Sequence, residues 1–355
     1  MSVLEVSSIR NQSVELFTGT KKYVATGDVD EQAIETFTEI TYNNRPSRAN
    51  IEVKLGQVLF ARMKGTNKVI QIDESNQDYI YSTGFCVLEP SELVTADYLR
   101  VFLKSDLFQI QKDKHSKGAT QKAINNEGIS KIKIPLPPLE IQKKIVEALD
   151  KAQALIDARK EQIRLMDELV KSRFVEMFGD PISNPMRWNI RKFTDVATSR
   201  LGKMLDAKKQ TGESSYPYLA NFNVQWFKVN LDTINTMDFN EKEQIEFALN
   251  KGDLLVCEGG EVGRCAIWMG EVKNCYFQKA LHRVRCDTKV ILPEYLSWVF
   301  YYWYQYNRFE DIVGSKSTIA HLTGEKLKGL SLVVPPIYLQ HQFKEFIEHT
   351  NKLKS

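Results

Sequence analysis

The chain repeats itself, and this constrains its fold more than any other feature. Residues 118–143 align without a gap onto 316–341, a shift of 198. Thr120, Glu127, Pro137, Pro138 and Gln142 meet Thr318, Glu325, Pro335, Pro336 and Gln340. The apolar register follows: Ile124, Ile129, Ile132 and Ile134 meet Leu322, Leu327, Leu330 and Leu332. Three earlier segments match in the same order, at shifts of 195 to 197: KYVATGDV (22–29) with PYLANFNV (217–224), LGQVLFARMKG (55–65) with KGDLLVCEGGE (251–261), and DYLRVFLKS (97–105) with EYLSWVFYY (294–302). Self-similarity at a fixed period is the mark of a duplicated unit. The sequence therefore predicts two copies of one domain.

Each copy has the same internal order. Short β-rich runs bounded by turn residues come first, as in KGDLLVCEGG (251–260) and NCYFQKALHRVRC (274–286). Helical patterns follow at 97–108 and 294–306. Alternation returns in ISKIKIPLPP (129–138) and LKGLSLVVPP (327–336), which predicts a last strand ended by the double proline. The period then changes. Residues 139–178 contain no Gly or Pro and carry a heptad-like seam through Ile145, Leu149, Ile156, Ile163, Met166 and Val170. A helix of that length would span about 60 Å and must bury its stripe. A similar helix opens after the second double proline, with Phe343 and Ile347 on its seam, and reaches Ser355. The expected class is α+β: two repeated globular α/β domains, 1–137 and 179–335, joined and spaced by long antiparallel coiled-coil-like helices at 138–178 and 336–355.

Motifs for chemistry are missing. VGSKST (313–318) lacks phosphate-loop spacing, and no GxGxxG precedes a helix. Glycines 259, 260 and 263 read as a tight exposed turn between strands. No adenine-methyltransferase Asn-Pro-Pro-aromatic string occurs. Asp253 with Glu271-Val-Lys273 has the spacing of a metal-dependent nuclease, an alternative that would need Mg to polarise water. Glu52-Val-Lys54 is a second such tripeptide, at a position that the repeat does not match. Cys257, Cys265, Cys275 and Cys286 lie too loosely for a zinc knuckle and read as buried thiols. Five cysteines without a CxxC fit a reducing cytosol. No apolar run is long enough for a membrane helix, and the N-terminus has no secretory pattern. No metal or cofactor of the chain's own is expected.

What remains is a binding signal. The net charge is +3, and neither domain exceeds +2, so a nucleic-acid face must come from arrangement. Loops such as NNRPSR (43–48), ARMKGTNK (61–68), KHSKGATQKAINN (114–126), LGKMLDAKK (201–209) and GSKSTIAH (314–321) combine cations with hydrogen-bonding side chains. These are the residue types that hold phosphates and read base edges. Candidate DNA contacts are Arg62, Lys64, Lys117, Thr120, Gln121 and Lys122 in the first copy. In the second they are Arg264, Lys316, Ser317, Thr318 and His321. Gln121 suits adenine, and Arg62 or Arg264 suits guanine. Asn221 is as readily a turn residue as a contact.

The stretch IPLPPLEIQKKIVEALDKAQALIDARKEQIRLMDELVKSRFVEMFGDP (134–181) closely resembles the central segment of specificity subunits of type I restriction-modification systems. LVVPPIYLQHQFKEFIEH (332–349) resembles its distal counterpart, and KGDLLVCEGGEVGRCAIW (251–268) the family's strand-turn-strand. The resemblance implies two target-recognition domains, each reading one half of a bipartite double-stranded DNA site. It implies that the long helices set the spacing and dock DNA-methyltransferase subunits through Ile145, Leu149, Ile156, Ile163, Met166, Val170, Phe343 and Ile347. An endonuclease/translocase subunit would join the assembly. The chain itself would be non-catalytic and cytoplasmic, with S-adenosylmethionine, ATP and Mg used by its partners. The other readings are a metal-dependent nuclease and a free-standing duplicated DNA-binding module.

Two full copies at a shift of 198 would need 396 residues, against 355 here. The first copy lacks a counterpart to much of RWNIRKFTDVATSRLGKML (187–205), and the distal helix is about half as long as the central one. The C-terminal half of the central helix is therefore expected to expose its seam, with self-association or partner-dependent stability as the result.

Overall fold

The structure, a computed structural model, describes residues 1–30, 33–206, 210–314 and 321–354. The chain divides into two compact units, Met1–Arg159 and Lys160–Ser355. In the first, helix α1 (Val3–Val6) leads into strands β1 (Ser7–Ile9), β2 (Lys21–Val24), β3 (Thr38–Ile40), β4 (Ala49–Ile51), β5 (Val58–Ala61), β6 (Val69–Gln71), β7 (Ile80–Ser82) and β8 (Phe85–Pro90). Helices α2 (Ala96–Lys104), α3 (Asp106–His115), α4 (Asn126–Ser130) and α5 (Leu139–Phe178) follow. The second unit adds β9 (Asn189–Lys192), α6 (Phe193–Val196), β10 (Ala197–Leu201), β11 (Ser215–Leu219), β12 (Val224–Gln225), β13 (Lys228–Val229), β14 (Asn235–Asp238) and α7 (Glu241–Glu246). It continues with β15 (Leu254–Cys257), β16 (Cys265–Ile267), β17 (Tyr276–Phe277), β18 (Leu281–Cys286), α8 (Pro293–Gln305), α9 (Arg308–Val313), α10 (Gly324–Lys328), β19 (Ser331–Val334) and α11 (Ile337–Lys354).

The duplication holds strand for strand. One sheet runs β1-β8-β5-β6 in the first unit and β10-β18-β15-β16 in the second. The other sheet places β2 between antiparallel β3 and parallel β7, just as β11 lies between antiparallel β14 and parallel β17. The central strand explains why VLFA and LLVC are apolar throughout. Val58 and Phe60 point into the helix-side core and Leu59 and Ala61 into the core between the sheets. Leu254 and Val256, then Leu255 and Cys257, repeat that division. A strand buried on both faces loses the alternation of a half-exposed one.

The last-strand prediction fails in the first unit. β19 forms and pairs with β9 over four residues. Its counterpart, which follows α4 as β19 follows α10, makes only an isolated bridge, Ser2 to Lys133, through Val3 N–H to Ile132 O and Ile134 N–H to Met1 O. The pairing goes no further because α1 begins at Val3, directly after the bridging residue.

The double proline has a structural companion. Gln142, fully buried at the start of α5, accepts from Thr95 N–H (3.0 Å) and donates to Leu93 O and Pro137 O (both 2.9 Å). Gln340, fully buried at the start of α11, accepts from Leu292 N–H (2.8 Å) and donates to Val290 O (3.1 Å) and Pro335 O (2.9 Å). Tyr98 and Tyr295 lock the same segments through their hydroxyls, to Pro135 O and Val333 O. Proline cannot donate and its carbonyl is left unpaired as the helix begins, so an amide side chain fastens the turn.

α5 is one continuous helix of 40 residues. Ile145 and Val146 pack on the first unit's core, while Val170, Phe174 and Phe178 enter the second's. There α11 runs antiparallel to it: Phe343 touches Phe174 and Phe178, the Arg173 guanidinium lies over Phe346, and Lys354 pairs with Asp167. The exposure expected of the seam is thus displaced. The C-terminal end is buried, and the open stretch is the middle, where Leu149, Leu155, Ile156, Leu165 and Leu169 are exposed. Among the described residues no helix is long and apolar enough to cross a membrane.

Candidate nucleic-acid interface

In the first unit two loops form one surface. The hairpin after β5 meets the segment after α3 through Lys64 N–H to Lys122 O and Ile124 N–H to Arg62 O, both 2.9 Å. Lys117 and Ala123 exchange two bonds of 3.0 Å, closing a turn whose tip carries exposed Thr120 and Gln121. Gly118 sits at φ +140°, and a Cβ there would lie 2.3 Å from Gln121 O, so the turn requires glycine. Arg62, Lys64, Lys117, Thr120, Gln121 and Lys122 are therefore neighbours. Arg62 donates to Ile124 O (3.2 Å) and to Asn126 Oδ1 (3.0 Å). Exposed Glu127 lies between Lys131 (2.5 Å) and Lys117 (3.6 Å), and these cations hold its carboxyl below the ordinary range.

Helix α3 clamps that hairpin from beneath with one face. Gln109 donates to Asn67 Oδ1, Asp113 accepts from Gly65 N–H, and Lys112 donates to Thr66 O and, at 3.5 Å, to Ala61 O. Lys112 is fully buried, and burial pulls its ammonium down to about 8. The sequence signal for it is a lysine one turn after the core residue Phe108.

The second unit builds the corresponding surface. Leu322 N–H donates to Glu258 O (2.7 Å), and Glu258 N–H to Ala280 O, as Arg62 N–H does to Gly84 O. Arg264 stands elsewhere than foreseen. Its guanidinium is turned inward, to Glu261 (3.0 Å) and Asn221 O (3.1 Å), with Nε buried and without a hydrogen-bond partner among the described residues, so it props the hairpin instead of facing solvent. Asn221 belongs to a short turn and supplies that carbonyl. His321 is exposed beside the hairpin; Lys316, Ser317 and Thr318 lie outside the described residues. The glycine turn is less exposed than expected: Gly263 packs on the Phe309 ring, while Gly260 is open. Beneath it His282 is buried, with Nε2 2.8 Å from Leu322 O, and burial pulls its pKa down.

The spacer-seam residues separate into three groups. Ile145 is half-buried against the first core, Leu149 and Ile156 are exposed, and Ile163 and Met166 are half-exposed. Val170, Phe343 and Ile347 belong to the second unit's core.

The nuclease spacing does not assemble. Asp253 is buried and held by Arg285 at 2.7 Å and by Asn250 N–H, while Glu271 accepts from nearby Met269 N–H. Glu52 is paired with Lys21. All five cysteines are free, and burial pushes Cys257 up to about 11 and Cys286 to about 12, which makes them poor nucleophiles.

Comparison with known proteins is consistent with this geometry. A family model described as the type I restriction modification DNA specificity domain matches residues 3–165 and 185–354. The chain is 26% identical over 281 residues to the type I restriction enzyme EcoKI specificity subunit of Escherichia coli, covering 74% of this chain and 60% of that protein. It is 23% identical over 289 residues to the StySPI specificity subunit of Salmonella potsdam, again covering 74% and 60%. The chain thus spans about three fifths of the length of these relatives. Its fold is similar to a solved chain from a type I R-M system (TM-score 0.62, 20% identity, 98% of this chain and 92% of that one). It is also similar to the S subunit from M. genitalium (TM-score 0.58, 12% identity, 100% and 89%).

Proposed function

The chain belongs to the family of type I restriction-modification DNA specificity domains, and we propose that it is the sequence-reading, non-catalytic subunit of such a system. Residues 1–137 and 179–335 act as two target-recognition domains, each contacting one half of a bipartite duplex site. The observation that carries this reading is the repeated loop surface, in which a hairpin and a distant loop are joined by the same backbone bonds, Ile124 to Arg62 and Leu322 to Glu258. Arg62, Lys64, Lys117, Thr120, Gln121 and Lys122 meet DNA from the first domain; His321, with Lys316, Ser317 and Thr318, does so from the second, and Arg264 supports the hairpin from behind. The helices at 138–178 and 336–355 space the domains and dock methyltransferase subunits, which bring S-adenosylmethionine, while an endonuclease/translocase subunit brings ATP and Mg. The exposed leucines of α5 support such docking or self-association, in the cytoplasm.

Methylome sequencing of cells with and without the chain tests the proposal. A split motif methylated only in its presence, and lost with Gln121→Ala, is the expected result. Mg-dependent cleavage by the purified chain, abolished by Glu271→Ala, would overturn it in favour of a nuclease.

A further inference from the structure

The repeat sets Glu258 at the position that Arg62 holds in the first unit. Each directly follows the central strand of its sheet, β15 or β5. Each is gripped on both sides by its backbone: N–H to the carbonyl of Ala280 or Gly84, and C=O from the N–H of Leu322 or Ile124. The Cα is therefore fixed in the same place in both units, on the surface that the proposed function assigns to DNA, while the side chain changes sign. The residue beneath changes too, since His282 faces Val256 across β15 and β18 where Cys86 faces Phe60.

We infer that Glu258 is a base-reading residue of the second unit, accepting a hydrogen bond from the exocyclic amino group of a cytosine or adenine in the major groove. The inference rests on the DNA-recognition reading above. Three observations carry it. First, Glu258 is half-buried, and among the described residues its side chain makes no hydrogen bond or ion pair, acting only electrostatically on buried His282 beneath it. Nearby Glu261, by contrast, is paired with Arg264 and Tyr304. A carboxylate partly withdrawn from water normally has a partner. An ionised one can only accept, and the amino groups are the donors that base pairs offer in the major groove.

Second, the carbonyl that holds Glu258 belongs to Ala280 at φ +92°, a strained conformation for a residue with a Cβ. Strain of this kind persists where surrounding structure imposes a position, and it concentrates at functional sites. Third, a carboxylate facing a polyanion needs compensation. Exposed Lys279, adjacent to Ala280, and exposed Lys328 line the cleft over His282, where they can take the flanking phosphates.

The test uses the complex of this chain with its methyltransferase subunits, on duplexes carrying each of the four base pairs at every position of the half-site read by the second unit. Wild type should prefer an amino-bearing base at one position. Glu258→Ala should keep the melting temperature and lower that preference by roughly 5- to 150-fold, the worth of one good base contact. The other positions should keep theirs. Glu258→Ala should also tighten binding to non-cognate duplex, because it removes a charge facing phosphates. Unchanged preference at every position, or a loss spread evenly over all of them, overturns the inference. Wild-type complex that binds all duplexes alike overturns the DNA-recognition reading itself, and the inference with it.

Discussion

Replacing Gln142 by alanine should unfasten α5 from the first unit and leave the second unit's stability unchanged. The side chain is fully buried and makes three bonds of 2.9–3.0 Å. Truncation strands one N–H, on Thr95, and two carbonyls, on Leu93 and Pro137. An unsatisfied buried backbone group costs about 1–3 kcal/mol, so the loss should come to about 3–5 kcal/mol once some relaxation is allowed. That is a large share of a domain's total stability of about 5–15 kcal/mol. Gln142→Glu should be no better, since it keeps the acceptor, loses both donors and sets a charge against two carbonyls. The assay follows from composition: all five tryptophans, Trp188 to Trp303, lie in the second unit. In urea, far-UV circular dichroism should show an early transition in Gln142→Ala while the tryptophan fluorescence midpoint stays at the wild-type value. Gln340→Ala, with its own three bonds, should move the fluorescence midpoint by a similar amount. A loss below about 1 kcal/mol in Gln142→Ala, or an equal shift of fluorescence, would refute the reasoning.

Lys112 should give the first unit a pH dependence. Its folded value of about 8 lies below the unfolded one, so between about pH 8 and the ordinary lysine range of ~10.4 the unfolded state holds more protons. Stability should therefore rise with pH across that window, and Lys112→Met should flatten the slope in denaturant titrations from pH 7 to 10. Gly202→Ala would place a Cβ 2.3 Å from the Gln278 carbonyl oxygen, a backbone atom. The fluorescence-detected stability should fall by about 2 kcal/mol or more. Phe174 is fully buried among Tyr295, Trp298 and Phe343. Phe174→Ala should cost about 3–5 kcal/mol in the same measurement.

Much of the fold was legible because its signals are local or periodic. The repeat and the helix after each double proline follow from spacing alone, and the β-rich runs from composition between turn residues. The first unit's last strand was not legible, because a strand needs a partner and the facing segment pairs at Ser2 alone before α1 starts at Val3. The seam of α5 reads as uniform in sequence, but its two ends join different cores and its middle joins neither. At the proposed interface, loop composition pointed to segments that the backbone bonds bring together. It erred on Arg264, because a search for cations cannot tell a guanidinium facing solvent from one holding Glu261 and Asn221. Glu258 was already opposite Arg62 in the matched strings 55–65 and 251–261. Only the backbone bonds show that both occupy the same place.

The open middle of α5 has a consequence for how the chain breathes. From Asp150 to Met166 no residue is buried, so neither core protects those amide hydrogens. Their exchange with solvent should follow local fraying of the helix and not unfolding of either unit. What restrains the fraying is short-range: helix-favouring residues such as Ala152, Ala154 and Ala158, and the pairing of Arg164 with Glu161 and Glu168. Ion pairs at an exposed surface are screened by salt while buried cores are not. Added salt should thus quicken exchange within this stretch and leave the amides of β5 and β15 as slow as before.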